Sequence, residues 1–234
     1  MERVWKRQAA EKAAQFVESG MIVGLGSGTT MAEVVKCLSK CKVRALFVPA
    51  SNLIERLAKR SGLRLTDLEK NPNLDLHIDG ADEVDPKFNM IKGRGGALTR
   101  EKILAKASKH VVIVVDRTKL VHRLGERSPV PVEVLPFAAG LAQRRLKRFG
   151  NVKLRKRPDG GPYATDNRNY IFDVKCETIS NPKKLELELN AIPGVVENGI
   201  FTGLADEVVV GHEKGVSIVK SRQEIIELLS GKSS

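Results

Sequence analysis

Apolar and polar residues alternate along the first half of the chain in two different patterns. Short, continuous apolar runs predict strands that are buried on both faces; these runs are MIVGLG at 21–26, VRALFVP at 43–49, LDLHI at 74–78 and HVVIVVD at 110–116. Segments with apolar residues at helical spacing lie around them; these are VWKRQAAEKAAQFV at 4–17, TMAEVVKCLSK at 30–40, SNLIERLAKRSG at 51–62 and LTREKILAKAS at 98–108. This alternation predicts a Rossmann-like α/β fold, a parallel sheet with helices on both sides. We expect Ser51 to cap its helix.

The second half of the chain has a different pattern. The segment ERSPVPVEVLP at 126–136 holds three prolines, which predict an edge or crossing strand rather than a central one. With that strand counted first, the next elements follow the β-α-β-β-α-β order of a ferredoxin-like unit; they are FAAGLAQRRLKRF at 137–149, NVKLRK at 151–156, YIFDVKC at 170–176, PKKLELELNAI at 182–192 and GVVENGIF at 194–201. Two further apolar runs and a last helix then indicate a return to the first fold; they are DEVVVG at 206–211, GVSIVK at 215–220 and SRQEIIELLSG at 221–231.

These patterns predict two domains with a cleft between them. We expect residues 1–128 and 207–234 to form the Rossmann-like domain. Residues 129–206 are then a small, ferredoxin-like α+β domain inserted into it. A length of 234 residues is enough for one large core and one small one.

Composition narrows the class of protein. With 41% hydrophobic and 29% charged residues, the chain has the balance of an ordinary globular protein rather than a disordered one. No apolar run approaches the ~20 residues that cross a bilayer, so no membrane partner is expected. The first twenty residues lack the apolar core of a secretory signal, and we therefore expect a cytoplasmic protein. Cys37, Cys41 and Cys176 are too few and too scattered for a disulfide framework or a zinc site, so packing roles are favoured.

The net charge of +12 raises the question of a nucleic-acid partner. The densest basic stretch, residues 144–157, has eight Lys or Arg and no acid, but its single aromatic residue, Phe149, provides no row of rings for base stacking. A solvated face is the favoured interpretation, and no nucleic-acid partner is expected. Attraction of anionic metabolites is a further possibility.

The glycine-rich segment VGLGSGTT at 23–30 lies between a strand and a helix, where backbone N–H groups bind anions. It lacks the lysine of a P-loop, and Thr29 stands where a dinucleotide fingerprint needs its third glycine. A small phosphate monoester suits this loop better than a nucleotide, although a tight turn is the simpler alternative. The candidate residues for binding the phosphate are Ser27, Gly28, Thr29 and Thr30.

Five carboxylates cluster in the segment LDLHIDGADEVDP at 74–86. The spacing does not fit a calcium loop, whereas a looser Mg²⁺ site stays open as an alternative. Asp85 before Pro86 is typical of a turn, and His77 is best read as a packed strand residue. Asp79 and Asp82 come where the strand ends, the edge at which open α/β sheets bind ligands, and these two are favoured as functional.

A third segment, MIKGRGGALTREKI at 90–103, again places glycines before a helix. Lys92 could bring a positive charge to a phosphate or an oxyanion. Glu101 lies near the helix start, where an acid also complements the helix dipole, and on the residues alone that simpler role is favoured. Asp116 and Lys119, in VVDRTK, end another strand. Together these loops provide the groups for proton transfer beside the carbonyl of a sugar phosphate.

The segments GLGSGTT, DGADEVD, KGRGGALTREKI, VVDRTK and PVPVEVLP, in this order, resemble ribose-5-phosphate isomerases of type A. The likeness continues through TDNRNYIFDV and NAIPGVVENGIF, so it spans almost the whole chain. The resemblance implies interconversion of D-ribose 5-phosphate and D-ribulose 5-phosphate in the pentose phosphate pathway, with no metal and no organic cofactor. It also implies a homodimer or homotetramer.

The resemblance also assigns roles to residues. Glu101 matches the catalytic glutamate, which carries a proton between C2 and C1 through an enediolate. Asp79 would assist ring opening, Lys92 would stabilise the enediolate, and Asp82 belongs to the same catalytic group. The implied substrate contacts are Ser27, Gly28, Thr29, Thr30, Asp79, Gly80, Ala81, Asp82, Lys92, Gly93, Arg94, Gly95 and Lys119.

Arg94 departs from the family, which usually has an uninterrupted glycine run at this point. If the position requires a positive φ, arginine costs about 1 kcal/mol relative to glycine. Two other classes stay open as alternatives. One is a sugar-phosphate sensor, although the single helix before MIVGLG is too short for a helix-turn-helix reader. The other is a transferase that uses a carboxylate as nucleophile.

Overall fold

The computed structural model describes residues 2–177 and 179–231. The helices in this part of the chain are α1 (Glu2–Ala14), α2 (Thr29–Leu38), α3 (Asn52–Arg60), α4 (Leu98–Ala107), α5 (Ala139–Leu146), α6 (Pro182–Asn190) and α7 (Arg222–Ser230). The strands are β1 (Ile22–Leu25), β2 (Leu46–Pro49), β3 (Leu76–Asp79), β4 (Glu83–Val84), β5 (Met90–Ile91), β6 (Val111–Asp116), β7 (Val130–Val134), β8 (Asn151–Leu154), β9 (Tyr170–Lys175), β10 (Val195–Asn198), β11 (Ile200–Phe201), β12 (Glu207–His212) and β13 (Gly215–Val219). Short 3₁₀ turns span Arg117–Lys119, Pro136–Ala138 and Lys147–Phe149.

The main sheet has six strands in the order β13-β12-β6-β3-β1-β2. Its strands are parallel except β13, which pairs antiparallel with β12. All six residues of β6 are buried, as the continuous apolar run predicts for a strand covered on both faces. Each buried Val or Ile side chain contributes about 1.5–3 kcal/mol relative to exposure. The prediction of a Rossmann-like domain is confirmed, and the carboxyl ends of β1, β3 and β6 meet at one edge.

Helices cover this sheet with small or apolar faces. Helix α1 packs through Ala9, Ala10 and Ala13, which are fully buried, so that its backbone lies close to α2 and β12. Ser51 caps α3 as predicted, because its side chain accepts a hydrogen bond from the Ile54 N–H at 3.2 Å. Within the described residues, no helix is long and apolar enough to cross a membrane.

The second sheet is antiparallel, with strand order β10-β7-β9-β8 and helices α5 and α6 between its strands in sequence. This is the ferredoxin-like arrangement that the element order predicts. The expectation for β7 was wrong: it is a central strand, paired with both β9 and β10. Only Pro131 lies inside β7, and the pairing of β10 with β7 begins at Val132, so the missing N–H of proline interrupts no bond to β10.

The predicted strand at 194–201 is two strands in the structure. β10 belongs to the second sheet, whereas β11 pairs with β5 in a small third sheet of order β11-β5-β4. Between them, Gly199 accepts a hydrogen bond from the Lys92 N–H at 2.9 Å and donates one to the Pro131 carbonyl at 2.7 Å. The end of the ferredoxin-like sheet is thereby tied to the loop that carries Lys92. The domain limits at 128/129 and 206/207 stay a prediction.

Candidate active site

A cavity of about 340 Å³ lies beside the loops that follow β1, β3 and β6, at the carboxyl edge of the main sheet. Every predicted site residue except Asp79 lines it, and Lys6 lines it as well. The lining residues are Lys6, Ser27, Gly28, Thr29, Thr30, Gly80, Ala81, Asp82, Lys92, Gly93, Arg94, Gly95, Glu101 and Lys119. Lys6 and Lys119, which are 113 residues apart in sequence, therefore meet in one place.

The glycine-rich loop forms one wall of this cavity. Helix α2 begins at Thr29, so its first N–H groups face the region where the loop residues line the cavity. Ser27 Oγ lies 2.8 Å from Ser51 Oγ, and Lys6 Nζ donates to Thr29 Oγ1 at 3.1 Å. With Lys119 also lining the cavity, this wall combines a helix N-terminus, hydroxyl groups and two lysines. That combination is typical of sites that bind phosphate-sized anions.

Asp79 lies directly beneath the same loop and is fully buried. Its Oδ1 accepts hydrogen bonds from the Gly80 N–H at 2.7 Å and the Ser27 N–H at 3.3 Å. A Cβ atom on Gly26 would overlap this carboxylate, so glycine is required for the close approach. Asp79 is the one predicted site residue that the structure does not bring to the cavity surface.

The other oxygen of Asp79 is held by two cationic or polar groups. Oδ2 lies 2.8 Å from Lys92 Nζ and 3.2 Å from His77 Nε2. Burial alone would raise the pKa of Asp79, but Lys92 and His77 more than offset it, so its pKa lies below the ordinary value. Asp79 is therefore ionised at neutral pH. His77 is a buried strand residue, as expected.

Lys92 is buried between two carboxylates. Its Nζ lies 2.8 Å from Asp79 Oδ2, 3.2 Å from Glu101 Oε2 and 2.6 Å from the Gly80 carbonyl oxygen. The Phe201 ring lies on another side, with its centroid 5.4 Å away. Burial would lower the pKa of Lys92, yet Asp79 and Glu101 raise it above the ordinary value, so the side chain stays an ammonium.

Glu101 lies in the first turn of α4 and is 4% exposed. Its Oε2 is near Lys92 but has no hydrogen bond of good geometry to any described residue. Burial, together with the negative charge of Asp79, raises the pKa of Glu101 to about 8, while Lys92 acts in the opposite direction. Two neighbouring carboxylates thus have pKa values displaced in opposite directions, which is typical of an acid–base site.

Asp82 and the loop 93–95 form the opposite wall of the cavity. Asp82 Oδ2 accepts a hydrogen bond from the Arg94 N–H at 3.0 Å. Arg94 does not have a positive φ, so the strain considered for arginine at this position is absent. Its exposed side chain lines the cavity.

Two acids from the same segments have structural roles. Asp116 caps the short turn Arg117–Lys119 by accepting from the Thr118 N–H at 3.0 Å. Asp85 accepts from the Lys87 N–H at 2.7 Å and the Asn89 N–H at 3.0 Å, as expected of a turn before proline. No group of three or more His, Cys, Asp or Glu residues has the arrangement of a metal site anywhere in the described ranges.

Sequence reasoning missed Lys6. It is one of several basic residues in α1, and nothing in its neighbourhood distinguishes it from Arg3, Arg7 or Lys12. Its position depends on the packing of α1 against α2, which is a tertiary property.

The fold and the cavity are typical of a Rossmann-like α/β enzyme, with a pair of buried carboxylates beside a glycine-rich loop. The family model of ribose 5-phosphate isomerase A (phosphoriboisomerase A) matches residues 46–215. The ribose-5-phosphate isomerase A of Parvibaculum lavamentivorans is 41% identical over 227 residues, covering 92% of this chain and 97% of that protein. That of Thermosynechococcus vestitus is 45% identical over 215 residues, covering 88% of this chain and 91% of that protein.

A solved structure gives the same result. A D-ribose-5-phosphate isomerase in complex with phospho-erythronic acid superposes with a TM-score of 0.92 at 40% identity, covering 94% of this chain and 99% of that chain. The chain belongs to the ribose 5-phosphate isomerase A family.

Proposed function

We propose that the protein interconverts D-ribose 5-phosphate and D-ribulose 5-phosphate through an enediolate, with Glu101 as the base. One observation carries the assignment: Glu101, a buried carboxylate, lines the cavity with its Oε2 3.2 Å from the buried ammonium group of Lys92. Removal of a proton from carbon next to a carbonyl requires both a base with a pKa near the working pH and a cation for the oxygen that becomes negative.

The phosphate of the substrate is assigned to the wall formed by Lys6, residues 27–30 and Lys119. Binding there fixes one end of a five-carbon chain and turns the chemistry into an intramolecular reaction. The cavity volume of about 340 Å³ suits a ligand of this size.

The proton movements then follow from the geometry. Glu101 takes the proton from C2 of the open-chain aldose; the electron pair of the C–H bond forms the C1=C2 double bond, and the π pair of the carbonyl group moves to its oxygen, O1. Lys92 stabilises the resulting enediolate. The proton of the C2 hydroxyl passes to O1, and Glu101 returns its proton to C1, so that a C1 hydroxyl group and a C2 ketone form.

Ring opening comes first and requires a carboxylate at the cavity surface. Asp82 lines the cavity, whereas Asp79 is fully buried and holds Lys92 and the glycine loop. We therefore assign ring opening to Asp82: it takes the proton of the C1 hydroxyl group, the bond between C1 and the ring oxygen breaks to leave the C1 aldehyde, and Asp82 returns the proton to the ring oxygen. Asp79 contributes indirectly, by keeping Lys92 charged and the proton of the pair on Glu101.

Phospho-erythronic acid, the ligand of the related structure, supports this assignment. It joins a phosphate to a carboxylate, whose two coplanar oxygens resemble those of an enediolate. The same compound is expected to bind this cavity and to compete with ribose 5-phosphate.

The test follows ribulose 5-phosphate formation in D₂O with a chelator present. The wild type should turn over and place deuterium on C1, because a proton held by Glu101 exchanges with solvent. Glu101→Gln should lower kcat by about 10³-fold or more with the fold retained. Lys106→Gln, on the exposed side of the same helix, is the matched control. Near-normal turnover by Glu101→Gln would remove Glu101 from the role of base.

A further inference from the structure

The loop 93–96 is held from outside by the ferredoxin-like part of the chain. Arg155 Nη1 donates to the Gly93 carbonyl at 2.9 Å and to the Arg94 carbonyl at 3.0 Å. The Tyr163 hydroxyl donates to the Gly95 carbonyl at 3.2 Å. Two side chains that do not line the active-site cavity therefore bind three successive carbonyl groups of a loop that does line it.

Arg155 is itself rigidly placed. Its Nε and Nη2 donate to the two carboxylate oxygens of Asp173, at 3.0 and 2.5 Å, in a forked pair. The two side chains are only 16% and 23% exposed, so the pair is well shielded from solvent. The guanidinium group also lies 5.9 Å from the centroid of the Tyr163 ring. Arg155 and Tyr163 thus form one unit, which we call the carbonyl clamp.

Gly96 shows how closely the clamp approaches the loop. Its φ is +83°, and the nearest carbon of the Tyr163 ring lies 2.6 Å from where a Cβ atom would stand. Glycine is required here both by the backbone conformation and by the ring.

The clamp fixes the direction of the N–H groups in the loop. In a trans peptide unit the C=O and the N–H point in opposite directions. The unit between Gly93 and Arg94 has its carbonyl on Arg155 and its N–H on Asp82. The unit between Arg94 and Gly95 has its carbonyl on the same guanidinium group, so its N–H points away from Arg155.

That N–H, on Gly95, has no hydrogen-bond partner among residues 2–177 and 179–231, and Gly95 lines the active-site cavity. A backbone N–H held in a fixed direction at the edge of a reaction cavity is a preset donor for a developing negative charge. Because the donor belongs to the peptide chain, its direction depends on whatever holds the carbonyl of the same unit.

We propose that Arg155 and Tyr163 are positioning residues for catalysis: they hold the carbonyl groups of residues 93–95 so that the Gly95 N–H is aimed at an oxygen of the enediolate. This inference rests on the proposed function and assigns a catalytic contribution to side chains of the ferredoxin-like part.

The proposal predicts which step is affected when the clamp is removed. Tyr163→Phe deletes one hydroxyl group and keeps the ring on Gly96; it should lower kcat about tenfold with a change in KM of less than about twofold. Arg155→Met releases two carbonyls and should lower kcat about 100-fold, the scale of one lost oxyanion donor. Arg155→Lys, which keeps the charge and one donor group, should recover part of this loss.

Measuring the binding of two ligands distinguishes a positioning role of these side chains from general damage to the structure. In the proposed arrangement the carboxylate of phospho-erythronic acid takes the place of the enediolate beside the Gly95 N–H, so the Kd of this compound should increase about tenfold in both Tyr163→Phe and Arg155→Met. Inorganic phosphate, which needs only the wall at residues 27–30, should bind each variant as it binds the wild type. Equal weakening of both ligands would overturn the proposal, since a merely structural role predicts that result.

Matched controls exist for both side chains. Arg157 lies on the same hairpin and forms an ion pair with Asp159, and Tyr170 is the second tyrosine of the chain. Arg157→Met and Tyr170→Phe should retain wild-type kcat. If Tyr163→Phe and Arg155→Met also retain it while the wild type is active, the positioning role is refuted and the proposed function stands. If the wild type itself fails to isomerise ribose 5-phosphate, both are refuted.

Discussion

Glu101→Gln should make the protein more stable at alkaline pH while it abolishes activity. In the native protein, burial and the charge of Asp79 raise the pKa of Glu101 to about 8, from an ordinary value of 4.5. Between these two pH values the native state keeps a proton that the unfolded chain has lost. The free energy of unfolding therefore falls as pH rises through this window. Glutamine does not titrate, so the variant is free of this loss.

The size of the effect follows from the same difference. At about 1.4 kcal/mol for each pH unit, the interval from 4.5 to about 8 sets an upper limit of about 5 kcal/mol. Lys92 loses one of its two carboxylate partners in the variant, which reduces the gain. We expect the variant to be more stable by about 2 kcal/mol at pH 8.5 and by close to zero at pH 5.

Urea denaturation of both proteins between pH 5 and pH 9 measures this directly, through the difference in midpoint at unchanged m-value. Glu55→Gln, a partly exposed acid in the first turn of α3 that pairs with Lys59, is the control and should show no comparable pH trend. A difference between Glu101→Gln and wild type that stays constant across this range would refute the raised pKa. A difference that shrinks toward alkaline pH would mean that Glu101 is stabilised in its ionised form.

Four further outcomes are expected. The wild-type kcat/KM should rise about tenfold per pH unit up to pH about 8, as Glu101 ionises in the free enzyme; a flat profile from pH 6.5 to 9 would contradict this. Lys6→Met should raise KM about tenfold with little change in kcat, since it removes one charge-assisted contact to the phosphate; an unchanged KM would exclude that contact. Arg168 has a φ of +65°, so Arg168→Gly should raise the free energy of unfolding by about 0.5–1 kcal/mol in urea titrations, and a loss would refute the strain. Phe137 is fully exposed, and Phe137→Glu should reduce the particle mass in light scattering if this surface joins the expected oligomer; an unchanged oligomer would place the interface elsewhere.

The sequence pattern was sufficient for the main sheet because its strands are buried on both faces. A run such as VVIVV in β6 has no polar residue to accommodate, so burial alone identifies it. The pattern was not sufficient for β7, where the prolines suggested an edge strand. β7 can be a central strand because its pairing with β10 starts at Val132, one residue after Pro131. The residues of β7 alone do not show how this strand aligns with a strand that is distant in sequence.

The site residues could be predicted in the short segments where glycines and acidic residues lie close together in sequence. They could not be predicted where a residue such as Lys6 reaches the cavity from a distant helix. Asp79 was predicted to touch the substrate, but in the structure it is fully buried beneath the residues that line the cavity. The basic stretch at 144–157 was interpreted as a solvated face, and Arg144, Arg145 and Lys147 are exposed. Arg155 is the exception, because its partner Asp173 lies on the neighbouring strand and turns the guanidinium group toward the glycine loop.

The unequal surroundings of two carboxylates are the reason that we propose Glu101, and not Asp79, as the base. Lys92 Nζ is within 3.2 Å of both, so one cation is shared by two potential negative charges. Asp79 also receives two backbone N–H groups and His77, and Glu101 receives none of these, so the one proton that the pair retains near neutral pH resides on Glu101. Because the Lys92 ammonium group that neutralises Glu101 is shared with Asp79, burial leaves the ionised form of Glu101 poorly stabilised, which lowers the stability of the fold at alkaline pH and makes this carboxylate more basic. The instability and the basicity of Glu101 therefore have a single physical cause.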